Sequence, residues 1–183
     1  MKNIFLFILI NISALFSAQQ IFTLRPTETE LPVNSYQKDT NNELPSYEGT
    51  WKGIWDNKII YITFTKITHN YDSDFKYYRD YLIGKFKVLD NNENILFDNT
   101  NANDDTKITG INFRRYGDKY SLIYVDSDLC NTTGNIRINF TDPSKLQLDW
   151  KLILDNNMIT NDCQYYHTGI PKVLPKEITL TKQ

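Results

Sequence analysis

Histidine, cysteine and methionine each occur only twice in the 183 residues, and that scarcity removes several kinds of chemistry. His69 and His167 stand alone, with no His-Glu-x-x-His pair to hold zinc and activate water. No Gly-x-Ser-x-Gly elbow exposes a serine nucleophile, and no glycine-rich loop is available to cradle phosphate. Neither sign of charge prevails: 20 Lys and Arg face 22 Asp and Glu, for a net charge of −2, and their interspersion leaves no basic patch for nucleic acid. A membrane-spanning helix needs an apolar run of about 18 residues or more, and the chain has none. Helical periodicity is likewise missing over any stretch of about ten residues. The expectation is a chain without cofactor or metal, and more a binding protein than an enzyme.

What is present begins with an export signal. Lys2, the apolar run Ile4–Ile10 and the small residues Ser17 and Ala18 form the tripartite pattern of a secretory signal peptide over residues 1–18. The mature protein is then secreted or periplasmic and keeps about 165 residues, enough for one domain with a sizeable core. Residues 19–46 contain Pro26, Pro32 and Pro45 and no sustained alternation; they read as an extended arm lying on the domain or as a flexible leader. Residues 47–183 form a single β domain. In an oxidising compartment Cys130 and Cys163 are expected to pair, closing a loop of about 33 residues for a gain of ~3–4 kcal/mol.

The domain is organised around Gly49-Thr50-Trp51-Lys52-Gly53-Ile54-Trp55, in which residues 51, 53 and 55 share one face of an extended chain. Ile60, Ile62 and Phe64 alternate with Tyr61, Thr63 and Thr65 in the run that follows. Tyr78, Leu82, Phe86 and Val88 share a face of a second long run, interrupted by Asp80 and by Gly84, which marks a bend. Ile95–Phe97, Lys107–Arg115 and Lys119–Asp126 continue the series, the last apolar on both faces and so expected to be covered on both. Gly117-Asp118 and Asp142–Lys145 supply hairpin turns. Leu146, Leu148, Trp150, Leu152 and Leu154 give the cleanest alternation, and Met158–Ile159, Tyr165–Thr168 and Glu177–Leu180 are the last strand candidates. The fold class is all-β: an antiparallel meander of about 8–10 strands, with a lipocalin-like barrel favoured over a sandwich because successive hairpins can close on themselves.

Several segments carry a resemblance: Lys38–Leu44, Gly49–Gly53, Leu82–Phe86, Asp126–Cys130 and Asn139–Asp142. They are similar to a family of small secreted flavobacterial proteins of unknown function, which implies export and a compact β domain without assigning catalytic residues. Gly49-Thr50-Trp51 also resembles the Gly-x-Trp of the first lipocalin strand, which implies an eight-stranded ligand-holding barrel.

Aromatic side chains supply the best binding candidates, since rings can line an apolar cavity or stack on sugar. Trp55, Tyr78 and Tyr124 are selected, with Asp80 as a polar member because it interrupts an apolar face and so needs a partner; Asp149 is a possible companion carboxylate. Asp72/Asp74 and Asp104/Asp105 could bind calcium or act as acid and base, but the oxygen-rich run Asn99, Asn101, Asn103, Asp104, Asp105 lacks the glycine a calcium loop needs at its sixth place and has Gly110 where a bidentate glutamate is required, so turn composition explains it better. The expected function is a secreted barrel that binds a small apolar ligand. The alternative is a glycan-binding protein or hydrolase with an Asp/Tyr site assembled from several strands.

Overall fold

The computed structural model describes residues 18–102, 106–156 and 159–183; the signal-peptide expectation for residues 1–17, the pair Asp104/Asp105 and Met158 fall outside them. The described residues form eleven strands: β1 (Ile21–Thr23), β2 (Tyr36–Lys38), β3 (Gly49–Trp55), β4 (Lys58–Asp72), β5 (Tyr77–Leu89), β6 (Ile95–Asp98), β7 (Ile108–Phe113), β8 (Tyr120–Asp126), β9 (Thr132–Phe140), β10 (Gln147–Leu154) and β11 (Glu177–Lys182). One 3-10 turn, Leu44–Ser46, precedes β3. No helix among the described residues is long and apolar enough to cross a membrane.

Eight of these strands close into an antiparallel barrel. β3, β4, β5, β7, β8, β9, β10 and β11 pair in chain order, and β11 returns to β3 through Thr181 opposite Lys52 and Lys182 opposite Trp51. The meander read from successive hairpins is therefore a barrel and not a sandwich. β5 is long because one of its edges serves three neighbours in turn: β2 at Tyr78 and Arg79, β7 at Ile83 and Gly84, and β6 from Lys87 to Leu89. The β5–β7 seam is short, and a Cβ on Gly84 would lie 3.1 Å from the Ile108 side chain, so glycine permits the two strands to meet there.

Alternation sorts each strand into an inward and an outward row. Trp51, Ile60, Ile62, Phe64, Leu82, Phe86, Tyr120, Leu122, Ile136, Ile138, Leu148 and Trp150 are all at most 2% exposed and fill the barrel as a packed core. Gly53 makes room within it: a Cβ there would come 2.5 Å from Ile178 Cδ1. Outward residues face solvent, including Ile123 at 41% and Val125 at 48% exposure on β8. The expectation that β8 is covered on both faces is thus corrected: among the described residues no second layer packs on Ile123 and Val125.

The segment 19–46 is not a free leader along its whole length. β1 pairs with β2 in parallel, and β2 pairs in parallel with β5. The Phe113 amide donates to Leu24 O (2.8 Å), and Leu24 and Leu44 are buried. These residues fill the gap where the lower half of β5 parts from β7. That end of the barrel is closed further by Tyr47, which packs on Phe113, Tyr120 and Phe140 and donates to the Asp118 carbonyl.

Cys130 and Cys163 form a disulfide with Cα atoms 5.6 Å apart. It links the β8–β9 turn to the long β10–β11 connection. Tyr165–Thr168, expected as a strand, is a series of turns in that connection: Tyr166 N donates to Cys163 O and Gly169 N to Tyr165 O, and these local bonds replace a ladder.

Candidate functional site at the open end of the barrel

The up-and-down topology places the β3–β4 turn, the β8–β9 turn and the β10–β11 connection at one end of the barrel. The connection does not stand away from the sheet. The Leu152 amide donates to Lys176 O (2.7 Å), the Trp150 indole donates to Pro175 O (2.9 Å), and Leu174 is buried. Residues 170–176 consequently run as a strap across this end, kept extended by Pro171 and Pro175. Between the strap and the strand ends lies a cleft of about 560 Å³, within the range of small-molecule sites.

The cleft wall is predominantly apolar. Trp55 closes one side; Leu129, Leu152, Leu154, Ile170 and Val173 contribute most of the remainder. Trp55 reaches it because Gly53 and Trp51 hold the same face of β3 inward while its last residue emerges half-buried from the core. Its ring also carries the Lys58 ammonium at 5.3 Å. The Trp51 indole donates to Tyr47 O and that of Trp150 to Pro175 O, whereas the Trp55 indole N–H has no partner among the described residues.

Tyr124 lies at the base of the cleft, 1% exposed. Its hydroxyl donates to Asp126 Oδ2 (2.8 Å), and Lys107 Nζ lies 2.7 Å from both Asp126 Oδ1 and Asp128 Oδ2. Lys107 and Asp126 are buried at 2% and 0% exposure, so each charge has the partner that burial demands, and the pair joins the start of β7 to the end of β8. The alternation Tyr120, Leu122, Tyr124, Asp126 puts the aspartate on the inward face, a signal by which a buried cation partner could have been expected. Lys107 itself is not identifiable from sequence, because the pairing crosses two strands.

The structure brings two of the four candidate residues together. Trp55 and Tyr124 line the same cleft. Tyr78 and Asp80 lie on the lower half of β5, towards the other end. Asp80 is 2% exposed and accepts from the Tyr36 hydroxyl (2.6 Å), the Asp39 amide (3.0 Å) and the His69 amide (2.9 Å); this satisfies the carboxylate and ties β2 to the irregular end of β4. Burial, and after it the hydrogen bond to Asp80, holds the Tyr36 hydroxyl well above its ordinary titration range. Asp149 is exposed on the outer face of β10, apart from Asp80. His69 stacks on Tyr78, with ring centroids 4.3 Å apart, and His167 is exposed beside Tyr166. Among the described residues no group of three His, Cys, Asp or Glu side chains is arranged to hold a metal.

The model of the family described as "Family of unknown function (DUF6705)" matches residues 1–183. The chain belongs to this family. No curated protein and no solved structure matches it. Membership in DUF6705 assigns no chemistry, so the site of this family member is argued from geometry. The cleft has an apolar wall, a free indole N–H, and polar groups at its base that are already satisfied by one another. Such an arrangement can hold an apolar body.

Proposed function

We propose that the protein is exported to the periplasm or the extracellular medium and there binds a small apolar ligand in the cleft at the open end of its barrel. The observation that carries this reading is the cleft itself, apolar in its wall and sited above a barrel already packed with side chains. A ligand therefore lies under the strap, beside Trp55, and not inside the barrel. The disulfide supports the exported compartment, because cysteines persist as a pair where the environment is oxidising.

The test uses a neutral apolar fluorophore, N-phenyl-1-naphthylamine. Its emission should rise and shift to the blue on binding, and the effect should disappear in Leu154→Glu, which brings a charge into the cleft from a residue already 43% exposed. Ile123→Glu, on the outer wall, should leave binding unchanged. Equal loss in both variants, or no binding by the unaltered protein, refutes the reading. For export, the protein recovered outside the cytoplasm should begin at Gln19; an intact Met1 on that protein refutes cleavage.

A second reading, glycan binding, is favoured by the β4–β5 hairpin. Tyr71 and Phe75 are 45% and 60% exposed there, with Tyr71 packed on Tyr78 at 5.1 Å and Phe75 stacked on Tyr77 at 5.6 Å. Exposed ring faces are the surfaces on which sugars stack. Binding of a glycan that is lost in Phe75→Ala and kept in Leu154→Glu would select it over the cleft.

A further inference from the structure

Charge around the cleft is arranged unevenly once existing partnerships are taken into account. Asp56, Asp155, Lys172, Lys176 and Glu177 border it. Glu177 is engaged by Lys151 (2.5 Å), whose hydrogen bond holds the carboxyl below its usual range and therefore anionic. Asp155 accepts the Thr133 hydroxyl at 2.7 Å. Lys58, beside the cleft, lies over the Trp55 ring. Neither Lys172 nor Lys176 has an ion-pair or hydrogen-bond partner for its ammonium among the described residues. Three cations outside any ion pair, Lys58, Lys172 and Lys176, two of them on the strap, thus border the cleft with two such carboxylates, Asp56 and Asp155, since a neutral hydroxyl donor leaves Asp155 charged, and the Trp55 indole N–H, without a partner among the described residues, adds a neutral donor at the same wall.

Resting on the reading of the cleft as an apolar ligand site, we propose that its ligand is a single-chain amphiphile with a carboxylate head. The chain lies against Trp55, Leu152 and Leu154, and the carboxylate is met at the rim by Lys172 and Lys176. An apolar tail accounts for the cleft wall, since removing it from water is favourable in proportion to the area covered. A neutral head leaves both ammoniums unused. A cationic head is opposed by them, which gives the site discrimination as well as attraction. Exposed lysines act here as point charges, so the preference is electrostatic and falls with added salt.

The experiment compares decanoate, 1-decanol and decyltrimethylammonium, each below its aggregation concentration, by calorimetry and by quenching of tryptophan emission. Decanoate should bind roughly fivefold to tenfold more tightly than decanol at low salt, and decyltrimethylammonium more weakly than either. In Lys172→Gln/Lys176→Gln, both exposed positions, decanoate should fall to the affinity of decanol while decanol is unchanged. Equal binding of decanoate and decanol, or a preference that survives in the double variant, overturns the carboxylate assignment and leaves the apolar site standing. No binding by any of the three overturns the site reading itself. Binding confined to vesicles containing phosphatidylglycerol, with none to monomeric decanoate, also overturns the assignment and marks the rim as a lipid-surface contact.

Discussion

Removing the Cys130–Cys163 bridge is the perturbation whose size follows most directly from the chain. The bond joins residues 33 positions apart. Restricting an unfolded loop of that length costs it entropy worth about 3–4 kcal/mol at 25 °C, which the bridged native state does not have to supply. The native side of the balance lowers that figure. Within the closed loop, β9 and β10 are held by their own ladder from Leu148 opposite Phe140 to Leu154 opposite Gly134, and they keep their order without the bond. The strap is fixed independently by Leu174 and by the Lys176 and Pro175 carbonyl contacts. Residues 159–169 have mainly short-range turns to hold them, so they regain freedom in the reduced native state. The expected loss in Cys130→Ser/Cys163→Ser is accordingly about 2–4 kcal/mol, with the barrel still folded. Urea unfolding followed by tryptophan emission measures it, as a lower midpoint. A loss under about 1 kcal/mol would refute the loop-entropy reasoning; a variant that fails to fold would refute the claim that the barrel stands without the bridge.

Other consequences follow from packing and ionisation. Gly110→Ala should destabilise the barrel by about 1–3 kcal/mol, because the added methyl would lie 2.8 Å from Tyr120 Cε1 in a filled interior; a thermal melt unchanged from the parent contradicts it. Asp80→Ala strands three donors, from Tyr36, Asp39 and His69, and should cost about 3 kcal/mol or more, measured by urea unfolding, while leaving ligand binding at the opposite end intact. Tyr36, Tyr47 and Tyr120 all titrate above the ordinary value of 10.0, chiefly through burial. Their neutral forms stabilise the fold fully below pH 10, and this contribution is lost as pH rises from there towards their folded-state values. Absorbance at 295 nm should show tyrosines that ionise only as the protein unfolds in alkali; complete titration of all tyrosines near pH 10 with the fold intact contradicts this.

The fold was legible wherever a period-2 pattern extended over enough residues to fix which face is buried. Leu148, Trp150 and Leu152 lie inward as their alternation required, and the turns at Gly117-Asp118 and Asp142–Lys145 join the strands expected. Tyr165–Thr168 has strand composition too, but it spans only four residues beside a disulfide that sets their path. The arm was ambiguous because its stability depends on a gap between β5 and β7 that exists only once the barrel has closed. Half of the cleft was accessible to sequence reasoning: Trp55 and Tyr124 stood out as aromatics on inward faces. Its other half, Ile170 to Lys176, has no period and becomes a wall only by crossing the barrel end. Lys172 and Lys176 gain meaning from that placement alone.

Every property proposed for the cleft requires a ligand bound under the strap at the open end. Amide and indole chemical-shift mapping of the 15N-labelled protein during a decanoate titration tests it most directly. Shifts are expected at the Trp55 indole and in residues 170–176, with the Trp51 indole and the amides around Asp80 unmoved. Shifts centred on the β4–β5 hairpin, or an unaltered Trp55 indole at saturating decanoate, would contradict it.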